Sequence, residues 1–273
     1  MIALELDRVS RDFATPDGRG YRALEGISFS VSAGSFVAIV GPSGCGKSTL
    51  LNIAAGLLSP SAGAVRVDGE PLAGLNRRAT YMFQQDALLP WKTVRENVAL
   101  GLTLGGAAKP EARARADAWL TRVGLAPFAA HYPAQLSGGM RKRVVMAQNW
   151  ILDRGILLMD EPFSALDVHT RQRMETELLE LWERGRTPDP LRKTVVFVTH
   201  DLEEAIALAD EVVVLSAGPA TRIVARHPVT LERPRDLMEL RTAPAFVDLY
   251  RAIWAVLREE VITSQQAVER GRT

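Results

Sequence analysis

The chain has 273 residues, which is long enough to bury a sizeable core in one large domain or two modest ones. Its formal net charge is +1 and 24% of its residues are charged, with both signs interspersed, which excludes a polyanion-binding surface over the whole protein but not a local patch. The single cysteine excludes a disulfide framework and no run reaches the roughly 18 to 20 apolar residues of a membrane span, so we expect a cytosolic protein that meets a membrane only through a partner.

The first predicted elements are two strands. Residues 3–9 alternate between apolar and polar types, and a second strand is predicted over 23–31, after a turn rich in proline, glycine and aspartate at 15–20. Two aromatic residues, Phe13 and Tyr21, flank this turn. Either ring could stack on the adenine of a nucleotide, and a role in the core or in the turn is equally compatible with each residue taken alone.

The strongest motif of the chain is a glycine-rich loop between a strand and a helix. An apolar run at 35–40 predicts a buried strand, and the pattern G-x-x-x-x-G-K-S follows it directly, before a predicted helix at 49–55. This order favours a phosphate-binding loop over a chance glycine-rich turn, because the glycines let successive N–H groups point into one concavity at the positive end of the helix dipole. Lys47 is expected to reach the β- and γ-phosphates, and the Ser48 hydroxyl to bind Mg²⁺. The predicted nucleotide loop comprises Gly41, Pro42, Ser43, Gly44, Cys45, Gly46, Lys47, Ser48 and Thr49.

Short strands follow the loop helix. Residues 64–70 predict a strand that enters a tight Asp-Gly turn, and with the N-terminal strands they indicate an antiparallel sheet beside the nucleotide-binding sheet. A further short strand at 81–83 ends in Gln84. The amide of Gln84 could bind Mg²⁺ or water after the strand end, and an ordinary loop role is the alternative.

Residues 93–155 carry few strand signals and predict a helical subdomain. The segment 110–124 opens with proline, is rich in alanine, arginine and leucine, and ends in glycine, which is typical of a capped helix. The subdomain ends in a turn of Ser137, Gly138 and Gly139 that runs into a helix. Free N–H groups and a hydroxyl at a helix start make this turn a second candidate anion site, with a serine-capped helix start as the alternative.

An acid pair, Asp160 and Glu161, ends a short buried strand at 156–159. Burial of carboxylates costs free energy unless they have a task. Beside a phosphate loop, Asp160 can hold the Mg²⁺ shell and Glu161 can orient and deprotonate an attacking water.

The rest of the core predicts a helix, a loop and another strand. A long helix at 168–184 and a loop at 187–190 precede a buried strand at 194–198, which ends just before His200. A lone histidine is usually structural, but one at the carboxyl end of a parallel strand stands where ligands bind in such sheets.

The end of the chain predicts a helix at 201–209 and a last strand at 211–215. Four prolines between 219 and 244 argue against a further packed repeat of the core. Apolar residues then recur at helical spacing over 246–257, which favours a helix docked on its own domain over a membrane-surface helix.

Taken together, these motifs resemble one family, the ATP-binding subunits of ABC transporters, over about residues 3–218. Six motifs occur in the family's order and at similar spacing, which is far more specific than any one of them. They resemble the Walker A loop at 41–49, the Q-loop glutamine Gln84, the signature loop at 136–140, the Walker B strand and catalytic glutamate at 156–161, the D-loop at 164–167 and the H-loop His200. Met140 stands where glutamine is commoner, and no departure removes a catalytic group.

The resemblance implies an α/β fold, namely a P-loop NTPase core with an antiparallel β subdomain and an inserted α-helical subdomain. The implied cofactors are ATP and Mg²⁺. The implied catalytic residues are Glu161, His200 and Gln84; the nucleotide-binding residues, besides the loop at 41–49, are Phe13, Ser137, Gly138, Gly139 and Asp167; and the metal ligands are Ser48, Gln84 and Asp160.

The resemblance also implies partners. Two copies would sandwich two ATP molecules, each held between the phosphate loop of one copy and the Ser137 loop of the other, and a transmembrane permease would hold the pair at the cytoplasmic face of the inner membrane. The segment 83–91 and the short C-terminus look like those of importers of the nitrate, sulfonate and taurine type. This resemblance implies a solute-binding protein as an indirect partner. The alternatives are an exporter or lipid-moving system, or a non-transport ABC ATPase; no nucleic-acid partner is expected.

The implied organisation has four segments. Residues 1–84 form the first part of the nucleotide-binding core with the antiparallel β subdomain, and residues 85–155 form the helical subdomain. Residues 156–218 complete the core, and residues 219–273 form a short C-terminal extension with an amphipathic helix.

Overall fold

The computed structural model describes residues 1–14, 20–183 and 192–270. The predicted loop at 187–190 and nearly all of the predicted turn at 15–20 lie outside the described residues. The strands are β1 (Ile2–Ala14), β2 (Gly20–Ser32), β3 (Phe36–Val40), β4 (Ala62–Val67), β5 (Glu70–Pro71), β6 (Ala79–Met82), β7 (Ile156–Asp160), β8 (Thr194–Val198), β9 (Glu211–Leu215) and β10 (Ile223–Pro228). The helices are α1 (Lys47–Ala54), α2 (Val94–Leu104), α3 (Lys109–Arg122), α4 (Gly138–Trp150), α5 (Val168–Glu183), α6 (Leu202–Leu208), α7 (Leu237–Leu240) and α8 (Pro244–Arg270).

The main sheet contains six strands in the order β10-β9-β3-β8-β7-β6. The strands from β9 to β6 run parallel. Every residue of β3, β7 and β8 is buried, which is the pattern of parallel strands covered on both faces. Because the carboxyl ends of β3, β8, β7 and β6 meet at one edge of the sheet, the segments that follow these four strands lie close together there.

A second sheet is antiparallel, with the strand order β2-β1-β4-β5. It shares a core with α1 and one face of the main sheet, in which Leu4, Leu50 and Leu158 are fully buried. The predicted α/β class, with an antiparallel sheet beside the nucleotide-binding sheet, is therefore confirmed.

Helices α2, α3 and α4 form a layer inserted between β6 and β7 in the chain. The layer has its own core, built around residues such as Val98, Leu120 and Val144. The segment predicted to be a helix at 110–124 is α3. The division of the chain into four segments remains a prediction.

The main sheet gains one more strand after β9, so the prediction that residues 211–215 form the last strand is wrong. β10 pairs antiparallel with β9, and Pro228 is the register partner of Glu211. An edge strand is hydrogen-bonded on one side only and therefore tolerates a proline. Half-buried and exposed residues alternate along β10, so the segment has no continuous apolar run by which it could be recognised.

Helix α8 packs on the main core through Phe246, Ile253 and Leu257, which are all buried. The backbone N–H of Ala217 donates to Oε2 of Glu260 at 2.7 Å, which joins α8 to the segment after β9. None of the described helices combines the length and the apolar character that crossing a membrane requires.

Candidate nucleotide-binding site

The glycine-rich loop connects β3 to α1 at the carboxyl edge of the main sheet. Gly46 precedes α1 with a φ of 101°, a left-handed conformation that favours glycine. A Cβ on Gly41 would lie 2.9 Å from Sγ of Cys45 and 3.1 Å from Cβ of Leu215, so this position has no room for a side chain. The two glycines therefore let the loop pack tightly and turn from β3 into α1.

The ammonium of Lys47 lies inside the loop. Its Nζ donates to the carbonyl oxygens of Gly41 at 2.9 Å and Pro42 at 3.0 Å, and the residue is 5% exposed. The charge is thus held beside the free N–H groups at the start of α1. This arrangement can bind the phosphates of a nucleotide.

Asp160 ends β7 and accepts two hydroxyl hydrogen bonds. Ser48 Oγ donates to Oδ1 at 2.9 Å, and Tyr81 Oη donates to Oδ2 at 3.2 Å. Burial raises the pKa of Asp160, and the bonds from Ser48 and Tyr81 oppose that rise. Burial, with the Asp160 charge, also raises the pKa of Tyr81, so its hydroxyl stays protonated and able to donate.

The donor set at this edge fits Mg²⁺. Ser48 and Asp160 offer hard oxygen atoms, and the described part of the chain contains no group of three or more histidine, cysteine or acidic side chains that could hold a metal by itself. Mg²⁺ usually takes one or two carboxylates and completes its shell with phosphate oxygens and water. The residues therefore suit a metal that is bound jointly with a nucleotide.

Three candidate catalytic side chains meet directly beyond β6, β7 and β8. Nδ1 of His200 lies 3.0 Å from Oε2 of Glu161, and Nε2 of Gln84 lies 3.5 Å from the same oxygen. Gln84 also lies 3.4 Å from Oγ of Ser164. The structure thus brings the predicted base, the histidine and the amide together, with Gln84 against Glu161 rather than against the Ser48–Asp160 pair.

The backbone of Glu161 is in an unusual conformation. Its φ is +42°, which costs a non-glycine residue on the order of 1–3 kcal/mol. The backbone N–H of Glu161 donates to the carbonyl of Val198 at 2.9 Å, and the Ser164 hydroxyl donates to the carbonyl of Glu161 at 3.0 Å. These bonds hold the carboxylate at the end of the sheet.

The second candidate anion site lies at the start of α4. Ser137 caps the helix, with its Oγ accepting from the N–H of Met140 at 3.3 Å, and a Cβ on Gly139 would lie 2.8 Å from Cγ2 of Thr170. Ser137, Gly138 and Gly139 line a cavity of about 300 Å³ together with Asp167. Residues of the loop at 41–49 do not line it. In one copy of the chain, the two candidate anion sites therefore open into different spaces.

Phe13 and Tyr21 are cross-strand partners in β1 and β2. Phe13 is half-buried, with the guanidinium of Arg11 4.7 Å from its ring centroid. Tyr21 is 41% exposed, and a Cβ on Gly218 would lie 3.6 Å from its hydroxyl and 3.8 Å from Cα of Cys45. Both rings lie on the hairpin beside the loop, and the choice between them stays open.

Two polar residues of this region were not identified from the sequence. Tyr81, on β6, is one of them, and its hydroxyl bonds Asp160. The available signal was its place three residues before Gln84, near the carboxyl end of the strand. The other is Glu204, a buried acid on α6, whose Oε2 accepts from the Thr199 hydroxyl at 2.6 Å. Because the same hydroxyl accepts from the N–H of Asp201 at 3.0 Å, Glu204 supports the segment that carries His200.

Glu204 makes the stability of the protein depend on pH. Burial raises its pKa to about 8, against 4.5 for an exposed glutamate, so the folded state holds this proton more tightly. The free energy of unfolding is thus expected to fall as pH rises between those two values. Burial also raises the pKa of Glu175, to about 7, which acts in the same direction. Melting curves should give a higher midpoint at pH 5.5 than at pH 8, and Glu204→Gln should flatten that slope. Glu259→Gln, at an exposed site, should keep the slope; an unchanged slope in Glu204→Gln would contradict the assignment.

Comparisons with known proteins identify one family. A family model described as ABC transporter matches residues 24–164. A taurine import ATP-binding protein of Rhizobium johnstonii is 42% identical over 258 residues, spanning 93% of this chain and 96% of the relative. An uncharacterized ABC transporter ATP-binding protein of Methanocaldococcus jannaschii is 42% identical over 263 residues, spanning 96% and 94% of the two chains.

Solved structures give the same result for the fold. The ATP-binding cassette MJ0796, described as a dimer in a post-hydrolysis state with ADP and phosphate bound, superposes with a TM-score of 0.71 at 32% identity. The match covers 84% of this chain and 100% of the cassette.

Proposed function

The chain belongs to the ATP-binding subunits of ABC transporters and is an ATP hydrolase, and from this premise we propose that it powers the import of a small solute through a membrane permease. The observation that carries the proposal is the meeting of Glu161, His200 and Gln84 beside the Ser48–Asp160 pair. The taurine import relatives favour import. With the resemblance of the segment 83–91, they support a solute of the nitrate, sulfonate or taurine type.

The phosphate loop and Lys47 perform the binding step. N–H groups of the loop and the Lys47 ammonium neutralise the phosphates and orient the γ-phosphate towards the end of β7. Ser48 and Asp160 would hold Mg²⁺, which supplies positive charge against the phosphate oxygens. The two side chains are already 2.9 Å apart, so little rearrangement is needed to place them around one cation.

Glu161 is the proposed general base. Its Oε2 can accept a proton from a water that attacks the γ-phosphate in line. His200, 3.0 Å away, fixes the direction of that carboxylate, and Gln84 contacts the same oxygen. Attack on the phosphate thus depends on three side chains that follow three neighbouring strands.

We propose that the working unit contains two copies of the chain. In each copy the phosphate loop does not line the cavity of the Ser137 loop, so a single copy does not enclose a phosphate with both. A second copy that places its Ser137 loop over the first copy's phosphate loop would complete each site. The dimeric cassette structures support this arrangement.

The permease is proposed to dock in a groove between the main sheet and the helical layer. This groove has a volume of about 320 Å³, and Leu57, Phe83, Gly101 and Leu104 are among the residues that line it. Leu104 is 79% exposed, and Trp91 in the neighbouring loop is 71% exposed. Several exposed apolar side chains that line one groove are typical of a surface that a partner covers. Docking there would hold the protein peripherally at the cytoplasmic face of the membrane.

Leu104→Asp should weaken the permease complex without changing the chemistry. A carboxylate on the rim would have to be desolvated on docking, so we expect at least about tenfold less permease to be retained by the tagged subunit. ATP binding and basal hydrolysis by the isolated protein should stay as in the parent. Met238→Asp places the same charge at a residue that is 71% exposed outside the groove, and it should retain the permease. Equal retention by both variants would contradict the docking site.

The transport function is tested by capture from native membranes. A tagged copy is expected to bring down a polytopic membrane protein in equal amount after solubilisation in mild detergent, and a solute-binding protein associated with that permease would then identify the solute. Recovery of the subunit with ribosomes or DNA would overturn transport. Recovery of the subunit without any partner would also overturn the transport function.

A further inference from the structure

Tyr81 holds one of the two oxygens of Asp160. Its hydroxyl donates to Oδ2, while Ser48 donates to Oδ1, so both carboxylate oxygens are hydrogen-bonded to hydroxyl groups. The nucleotide chemistry described above uses Ser48 and Asp160 and assigns no task to Tyr81. The phenol nevertheless makes a direct contact with the carboxylate that would bind the metal.

The position of Tyr81 follows from the pairing of two parallel strands. Tyr81 on β6 is the register partner of Leu158 on β7, and Asp160 stands two residues further along β7. Alternate residues of a strand share a face, so Leu158 and Asp160 lie on the same side of the sheet as Tyr81. The long ring of tyrosine spans the distance to the end of β7, which a shorter side chain would not reach.

The Tyr81 ring also lines the groove. Tyr81 packs on Phe83 with ring centroids 4.3 Å apart and an angle of 30° between the planes. Both residues line the groove together with Leu104, and Phe83 is 43% exposed there. A side chain inserted into the groove would thus press on a ring pair whose far end bonds the metal ligand.

We propose that Tyr81 is a positioning residue that orients Asp160 for Mg²⁺. We also propose that it couples the orientation of that carboxylate to whether a partner occupies the groove. The proposal rests on the function proposed above. At 3.2 Å this bond is longer than the usual O–H···O distance of about 2.5–3.0 Å, so a ring shift of less than 1 Å is enough to tighten or break it. The route differs from that of Gln84, whose side-chain amide contacts Glu161 and Ser164.

Tyr81→Phe tests the first half of the proposal, because it removes one oxygen and keeps the ring in the groove. Binding of a fluorescent ATP analogue is measured in the isolated protein at increasing Mg²⁺, and again without divalent metal. We expect the Mg²⁺ concentration for half-maximal effect to rise about tenfold, as is usual when a partner of a ligating carboxylate is lost. Affinity without metal should stay at the parent value, since the loop at 41–49 holds the phosphates.

Tyr132→Phe is the matched control, since it removes a phenol oxygen from an exposed ring on the helical layer. It should leave the Mg²⁺ requirement and the melting midpoint unchanged. An unchanged Mg²⁺ requirement in Tyr81→Phe, with the parent protein showing Mg²⁺-dependent binding, would overturn the role of Tyr81 alone. If the parent neither hydrolyses ATP nor responds to Mg²⁺, the proposed function itself fails.

The second half is tested in the complex with the captured permease. The Mg²⁺ requirement of the parent protein should shift by at least about threefold between the isolated subunit and the complex, as expected when one weak hydrogen bond is made or broken. Tyr81→Phe should show the same requirement in both states. A shift in Tyr81→Phe as large as that of the parent would overturn the link to the groove. The absence of any shift in the parent protein would overturn it as well.

Discussion

Glu161→Gln is expected to bind ATP with Mg²⁺ normally and to lose hydrolysis by about 10²- to 10⁴-fold, the usual contribution of a general base. The amide keeps the size of the side chain but cannot take a proton from water. The backbone at position 161 is held by Val198 and Ser164 and does not depend on the carboxylate. ATP should therefore persist in the site, and the variant should accumulate as a dimer.

Two measurements on Glu161→Gln separate chemistry from assembly. Phosphate release reports hydrolysis, and size-exclusion chromatography with light scattering reports the dimer in ATP and Mg²⁺. Glu259→Gln, at an exposed position on α8, should behave as the parent in both. Undiminished phosphate release would remove Glu161 as the base. A variant that stays monomeric with ATP and Mg²⁺ would contradict the ATP sandwich while leaving the base assignment standing.

Lys47→Ala has the second large expected effect, a loss of nucleotide affinity of about 100-fold. Removal of one charge-assisted contact with phosphate costs about 3 kcal/mol, which corresponds to that factor. The fluorescence of a bound ATP analogue measures it directly. Lys109→Ala, at an exposed position at the start of α3, should bind ATP as the parent does, and equal affinity in both variants would count against the phosphate loop.

The same variant should be less stable without nucleotide. Lys47 Nζ donates to the carbonyls of Gly41 and Pro42, and the ammonium is almost fully buried. The carbonyl of Pro42 also accepts from the N–H of Cys45 at 3.3 Å, so the Gly41 carbonyl is the one that loses its donor. A buried carbonyl left without a donor costs about 1–3 kcal/mol. A lower melting midpoint in Lys47→Ala, but not in Lys109→Ala, would show that the lysine also braces the loop.

The strands that carry the site could be predicted from the sequence because of their burial. β3, β7 and β8 are short runs in which every residue is buried, so their apolar character has no gaps. Residues that follow such strands in a parallel sheet must meet at one edge. His200 and Glu161 could therefore be expected to lie together from their place in the chain alone.

Contacts between neighbouring strands and helices could not be predicted in the same way. Tyr81 bonds Asp160 only because β6 is next to β7 in a given register, and the sequence of β6 contains no sign of that register. In the sequence, Glu204 cannot be told from an exposed acid near the start of a helix. Its burial follows from the packing of α6 against the main sheet. β10 was missed because its alternating exposure and its proline suit an edge strand.

The separation of the Ser137 cavity from the phosphate loop has a consequence for inheritance. In the proposed pair each polypeptide supplies one half of two composite sites, so no copy of the chain forms a complete site by itself. A cell that makes normal and catalytically dead subunits together would assemble mostly mixed or dead pairs. Inactivation of Glu161 in one copy of a mixed pair removes the base from one site only, because the other site combines the normal Glu161 with the intact Ser137 loop of the mutant copy. Such an allele would act dominantly if transport requires both sites, whereas an allele that prevents folding would be recessive, because it withdraws a subunit without inactivating the remaining copies.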